Sequence, residues 1–328
     1  MPIVPSEFRP PRLIQNGHLQ TILPVVFPRR FQDAARRERL ELADGDFLDL
    51  DWYHAGSGRV AVLTHGLEGA STQGYIRGLA AALLEAGWDV LAWNFRSCGG
   101  VQNRLPRFYH SGDTQDLGVI VQHAAKHAAT VALIGFSLGG NVTLKYLTEP
   151  ACHPAVTTGV AISVPVDLAS SAQKIDRQLS NRIYRRRFLK TMVAKIASKA
   201  AVFPGRFDVC GLNRINTLEE FDDLYTAPLH GFRDAADYWS QSSAGPRLGQ
   251  LRVPTLLLNA RNDPFLSEAS FPWSTARASQ LLHLEAPASG GHVGFLDLQH
   301  GLQPWSERRV VQWLEIVSGQ PASASAPA

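Results

Sequence analysis

The chain has 328 residues, enough for two ordinary domains or for one large domain carrying an insertion. A hydrophobic share of 45% and a charged share of 19% exclude wholesale disorder. The 32 basic and 29 acidic side chains leave a net charge of +3, without the surplus that marks a dedicated nucleic-acid binder.

Three cysteines, Cys98, Cys152 and Cys210, are too few and too far apart for a disulfide framework or a thiolate zinc site. A reducing compartment follows as the simplest expectation. Met1–Arg12 places prolines and arginines before any apolar run, so no signal-peptide core is expected. No window reaches the roughly 20 consecutive apolar residues that span a bilayer. The expectation is a soluble, cytoplasmic protein.

In chain order, Arg39–Leu42 and Phe47–Trp52 flank Asp44-Gly45, a hairpin signal that predicts an antiparallel start. Continuous apolar runs follow at Arg59–His65, Trp88–Phe95, Thr130–Phe136, Thr157–Val164, Pro254–Ala260 and Gln280–Ala286. Runs apolar on both faces suit strands buried in a parallel sheet. Helical patterns lie between them at Tyr75–Ala86 (stopped by Gly87), Gly112–Ala128 and Leu138–Leu147, with a last one at Trp305–Val317. Alternation of this kind predicts an α/β protein with a mostly parallel, doubly wound sheet. Pro165–Leu251 breaks the alternation, with helical periodicity at Asn181–Ala200 and shorter pieces at Thr217–Tyr225 and Gly231–Ser240. The predicted organisation is therefore a core of residues 1–164 and 252–317, a helical cap insertion over 165–251, and a disordered tail over 318–328, whose sequence is SGQPASASAPA.

Gly135-Phe136-Ser137-Leu138-Gly139 is a G-x-S-x-G that closes a predicted strand and opens a predicted helix. A serine at such a turn is presented at the C-terminal edge of the sheet. Its hydroxyl needs a base, and the base needs an orienting acid. Asp263 follows the strand PTLLLNA, and His292 sits in the glycine-rich loop after LLHLEA, in the chain order Ser, Asp, His. Taken singly, Asp263 is also what a turn before proline uses, and His292 is an ordinary loop histidine. The predicted oxyanion donors are the backbone N–H groups of Leu138, at the helix start, and Leu67, in the run His65-Gly66-Leu67-Glu68-Gly69. His65 is expected to orient that loop.

Further segments accompany these: Asn16-Gly17-His18-Leu19-Gln20-Thr21, Asn94-Phe95-Arg96-Ser97-Cys98-Gly99-Gly100, Tyr109-His110-Ser111-Gly112-Asp113, and Asn262-Asp263-Pro264. With the HGLEG and GFSLGGN runs, the chain resembles the α/β-hydrolase superfamily and its YheT-like branch, from about residue 10 to 317. The resemblance implies the α/β-hydrolase fold and an esterase-like serine hydrolase whose triad is Ser137, Asp263 and His292. It leaves the substrate open.

Lys174–Lys199 carries nine basic side chains against Asp176, a local charge of +8 that leaves −5 for the rest of the chain. Tyr184, Phe188, Leu189, Met192, Val193 and Ile196 recur at helical spacing between them. Such a helix packs its apolar face on the core, or it lies on an anionic membrane surface. The first arrangement is the expected one; peripheral contact with an anionic membrane through this helix is the alternative. Cys98 reads as a loop thiol rather than a nucleophile. His18, Arg96, His110 and Asp113 shape the pocket or brace its loops. The histidines show no metal-binding spacing, so neither metal nor cofactor is predicted.

The expected activity is hydrolysis of a small-molecule carboxylic ester through an acyl-enzyme. The alternatives are acyl transfer to another acceptor on the same triad, and a non-catalytic binding protein on a hydrolase scaffold. Oligomeric state is left open.

Overall fold

A computed structural model describes residues 2–27, 29, 31 and 35–319. Its strands are β1 (Ile3–Val4), β2 (Arg36–Glu41), β3 (Phe47–Tyr53), β4 (Arg59–Thr64), β5 (Asp89–Trp93), β6 (Thr130–Phe136), β7 (Val156–Ile162), β8 (Thr255–Leu258) and β9 (Leu282–Glu285). They form one sheet in the order β1-β9-β8-β7-β6-β4-β5-β3-β2. Only β3 and β2 run antiparallel to their neighbours; β4 through β9 and β1 pair in parallel. The hairpin read at Asp44-Gly45 is there, with Gly45 at φ +84.

Strand β4 lies between β5 and β6, so the chain reverses its direction of winding at β4. Crevices open at such a switch point, outside the carboxyl ends of the strands. The central strands are buried on both faces. Val60 and Val62 of β4 pack into one apolar cluster while Ala61 and Leu63 pack into the other. This is why the sequence shows continuous rather than alternating runs.

The flanking helices are α1 (Gly17–Val26), α2 (Gly74–Glu85), α3 (Thr114–Ala125), α4 (Leu138–Thr148) and, after the helical segment, α10 (Trp273–Ala278) and α11 (Trp305–Ser318). Asn16 caps α1, accepting from the N–H groups of His18 and Leu19. Gly319, at φ +66, ends α11. Ser318 therefore belongs to this helix rather than to the tail, and the remaining tail positions from 320 lie outside the described residues.

Between β7 and β8 the chain contributes α5 (Leu168–Arg177), α6 (Arg182–Val202), α7 (Leu218–Phe221), α8 (Ala227–Leu229) and α9 (Ala235–Ser242), with no strand. Asp167 caps α5, Asp234 caps α9, and Thr217 with Glu220 makes a reciprocal capping box at α7. Leu168, Ile175, Leu189, Met192, Ile196, Leu218 and Phe221 build a third apolar cluster, separate from the two sheet faces. Beside α8 and α10, which the sequence reading does not contain, β1, α1 and α5 escaped it. β1 is two residues long, α1 contains Pro24, and α5 begins directly after an extended stretch. No helix among the described residues is long and apolar enough to cross a membrane.

Candidate active site

Strand β6 ends at Phe136 and α4 begins at Leu138, which leaves Ser137 alone to turn the chain. Its backbone sits at φ +52 and ψ −121, a conformation a non-glycine residue adopts only under constraint. The flanking glycines make the turn possible. A Cβ on Gly139 would lie 2.2 Å from the His65 carbonyl oxygen, and one on Gly135 would lie 2.4 Å from that of Gly139. Side chains at either position would push α4 off β4 and β6.

Ser137 Oγ stands 2.9 Å from His292 Nε2, and His292 Nδ1 stands 2.9 Å from Asp263 Oδ2. Asp263 is buried and its Oδ1 accepts the Phe265 N–H at 2.8 Å. The carboxylate can only accept, so Nδ1 carries the proton and Nε2 is free to accept from the serine hydroxyl. The three residues predicted from the sequence are thus joined in one hydrogen-bonded line.

The two predicted oxyanion donors lie beside the serine, and both line the same cavity as Ser137 and His292. Leu138 occupies the first position of α4, where an N–H has no intrahelical acceptor. In the other loop the neighbouring N–H groups are committed: Gly66 donates to Tyr75 Oη at 3.0 Å, Glu68 to Tyr109 Oη at 2.7 Å and Gly69 to Gly66 O at 3.0 Å. The Leu67 N–H is the one left over. His65 holds this loop from beneath, donating from Nδ1 to Gly66 O at 2.8 Å and accepting the Phe95 N–H on Nε2 at 3.2 Å. Burial pushes His65 down to about 4, so it stays neutral and bracing, as the sequence reading expects.

Several positioning contacts were not foreseen. Thr21 of α1 accepts the His292 backbone N–H at 2.9 Å, and Gln20 of α1 bonds Leu296 through both its amide atoms. Asn262 reaches from the acid loop to the Gln15 carbonyl at 2.7 Å and accepts the Gly291 N–H at 3.2 Å. The N-terminal segment therefore fastens the histidine loop to the acid loop. Lys174 of α5 donates to the carbonyls of Asp263 (3.1 Å) and Leu266 (2.5 Å), and Ser163 accepts the Val293 N–H at 2.9 Å. The Asn16–Thr21 run was visible as a motif, but its contact with residues near 290 is a property of the fold.

A cavity of about 110 Å³ opens over Ser137. The sheet side supplies Leu67, Leu138 and Phe265, and the helical segment supplies Ile175, Met192, Leu218 and Phe221. The apolar face of α6 is turned to this cavity and its cluster, the arrangement the sequence reading favoured. Charge is redistributed with it. Lys199 is buried and donates to Leu105 O at 2.7 Å. Lys195 meets Glu68 Oε1 at 2.5 Å and Cys98 Sγ at 3.4 Å. Cys98 is therefore a loop thiol, pushed by burial up to about 11 and unsuited to nucleophilic attack.

Arg96 pairs bidentately with Asp116, at 2.7 and 2.8 Å, and also meets Asp44 and Asp46. Asp113 pairs with Arg107 at 2.7 Å, and His18 stacks on Tyr184 of α6. His110 lines the cavity, accepts the Gly112 N–H at 3.2 Å, and is pushed by burial down to about 3. These four residues brace loops, and none of them touches Ser137 Oγ.

A family model described as alpha/beta hydrolase fold matches residues 61–297. The chain belongs to the α/β-hydrolase family. This α/β hydrolase is 38% identical over 320 residues to YheT of Escherichia coli (strain K12), named as a candidate esterase, across 94% of this chain and 93% of that one. It is 26% identical over 307 residues to the mouse (Mus musculus) phospholipase ABHD3, across 90% of this chain and 75% of that one. The solved structure of the Pyrococcus furiosus esterase Pf2001 superposes with a TM-score of 0.58 at 18% identity, covering 88% of this chain and 97% of that one. At that identity the likeness shows the shared fold.

Proposed function

We propose that this α/β hydrolase cleaves carboxylic esters through an acyl-enzyme, with Ser137, His292 and Asp263 as its catalytic triad. The observation that carries the reading is the unbroken line from Ser137 Oγ to His292 to buried Asp263, both contacts at 2.9 Å. His292 Nε2 takes the serine proton as Oγ bonds to the ester carbonyl carbon. The Leu67 and Leu138 N–H groups hold the oxyanion. Asp263 stabilises the imidazolium, which returns its proton to the departing alcohol. Water, activated by the same histidine, then releases the acid.

Residues 165–251 act as a cap in this reading, placing apolar side chains over the serine, so the acyl part of the substrate is an alkyl or lipid-like chain. The relatives named phospholipase and candidate esterase agree with that class. The exposed basic side chains Arg177, Arg182, Arg186, Arg187 and Lys190, with exposed Leu179 and Ile183, are the part of the cap that would face an anionic lipid surface.

The test is hydrolysis of p-nitrophenyl esters from C2 to C16 by the wild type and Ser137→Ala. Ser137→Ala should lose at least ~10³-fold in kcat and all labelling by a fluorophosphonate. Equal turnover by the variant would overturn the assignment.

A further inference from the structure

The helical segment does not close the cavity with apolar side chains alone. Between α7 and α8 the helix widens by one π turn over Asp222–Thr226, a local insertion that recurs at functional sites. It delivers Asp222 into the lining of the cavity that holds Ser137 and His292. Asp222 Oδ2 accepts the indole N–H of Trp239 at 2.8 Å, and Thr226 also bonds the carboxyl.

Among the described residues no cation is paired with this acid. The charges that act on it most strongly are Asp176 of α5 and Asp223 of its own turn, both acids. The other charged side chains of the cavity, Glu68 and Lys195, are already engaged with each other. Phe108, Phe221, Tyr238 and Trp239 line the cavity with Asp222. A carboxyl left facing an apolar space is costly unless a partner arrives. Two donors use half of its acceptor capacity, which leaves lone pairs for a third group.

We infer that Asp222 is a substrate-recognition group, which accepts a hydrogen bond from a donor, hydroxyl or ammonium, carried on the chain of the ester that Ser137 attacks. This rests on the hydrolase reading above and adds a polar specificity to its apolar pocket. Burial, with the two neighbouring acids, pushes Asp222 up to about 7. The recognition is therefore switched within the working pH range, strong when the carboxylate is ionised and weaker below.

Asp176 of α5, which acts on Asp222, is itself raised by burial. Tyr238 of α9 is pushed further up by burial, and His110 and His230 are pushed down to about 3 by burial. His292 acts equally on any ester, so it cancels from a ratio between two substrates measured at one pH.

The experiment compares kcat/KM for p-nitrophenyl alkanoates and their ω-hydroxy counterparts from C4 to C12, between pH 5.5 and 8.5. The wild type should prefer the ω-hydroxy ester at one chain length, with a preference that rises roughly tenfold across that range, the size of one charge-assisted hydrogen bond. Asp222→Asn keeps an acceptor for Trp239 but should flatten the pH dependence. A ratio in the wild type that ignores pH, or a pH dependence that survives Asp222→Asn, overturns the inference. Binding of n-octylammonium and 1-octanol to Ser137→Ala, measured by calorimetry at pH 8.5, reads the same group without turnover. The tighter ligand names the donor, and binding of both unaltered by Asp222→Asn also overturns the inference. Turnover that persists in Ser137→Ala would count against the hydrolase reading alone, since the calorimetry still decides Asp222.

Discussion

Thr21 and His292 are separated by 271 positions in the chain, yet the Thr21 hydroxyl accepts the His292 backbone N–H at 2.9 Å. The same hydroxyl donates to Gly17 O at 2.7 Å, so its lone pairs are aimed at the histidine loop. The bond fixes the height of the imidazole over Ser137. Thr21→Val should lower kcat roughly tenfold, since about one hydrogen bond of positioning is lost. KM should change little, and Thr21→Ser should restore the rate. Steady-state kinetics on a short p-nitrophenyl ester checks this, and an equal loss in Thr21→Ser would show that packing, not the hydrogen bond, matters.

Gly139 allows α4 to pass against the carbonyl end of β4. A Cβ there would stand 2.2 Å from His65 O and 2.6 Å from Thr64 O, both backbone atoms that cannot swing aside. Gly139→Ala should cost about 3 kcal/mol and move the loop that carries the Leu67 N–H. Urea denaturation beside the wild type measures it, and a midpoint shift smaller than that of an exposed-helix alanine variant would contradict the packing argument.

Lys195 and Glu68 join α6 to the loop that carries the Leu67 N–H. Their side chains are only 12% and 11% exposed and 2.5 Å apart. Tyr109 adds a hydrogen bond to the same Glu68 oxygen at 2.8 Å. Lys195→Met leaves a near-buried carboxylate without its cation and should destabilise by about 3 kcal/mol. Adding Glu68→Gln should recover most of that loss. Thermal unfolding of the single and double variants tests the coupling, and additive losses would argue against it.

Acid should destabilise the fold through buried neutral histidines. His65 is held down to about 4, and His110 and His230 to about 3, in each case chiefly by burial. Between those values and the ordinary histidine range the unfolded chain binds more protons than the folded one. Stability from these groups is therefore complete above about pH 6.5 and is lost as pH falls, by roughly 1.4 kcal/mol per group and pH unit. Asp222 works in the opposite direction, since its raised value makes the folded chain hold a proton longer, and the raised carboxyls of Asp116, Asp176, Glu285 and Glu307 act in the same sense; between pH 7.5 and 5.5 the three histidines lose more than Asp222 gains. The unfolding free energy in urea should fall between pH 7.5 and 5.5; a flat or rising profile would mean that these histidines are solvated.

Where the sequence alone was decisive, the signal was local. The two-sided apolar runs of β4 to β9 report burial in a parallel sheet, and their observed limits differ from the predicted ones by only a few residues. Ser137 announced itself because a strand, a glycine-flanked serine and a helix are neighbours in the chain, and the elbow geometry is built from those same neighbours. Asp263 and His292 were legible as loop residues after strands, in the order the fold uses. Other elements had no local signature. β1 is held by pairing with β9, and α1 tolerates Pro24 near its end because its first turn is capped by Asn16 and its side chains are tied to residues near 296.

The charge of the helical segment shows the limit most clearly. Nine basic residues in one stretch give a local charge of +8, yet Lys174, Lys195 and Lys199 turn inward to carbonyls or to Glu68. Periodicity separates the apolar side of a helix from its polar side, but it does not say which lysines meet a buried acceptor. Asp222 was likewise one acid in a run of Thr217–Tyr225 with nothing to distinguish it. Chain order determined the fold class and the three chemical groups, because those depend on neighbours in sequence. Only the tertiary structure decided what holds His292 in place, which lysines of the helical segment turn inward and which acid lines the cavity over Ser137, because each of those is a contact between segments that folding alone brings together.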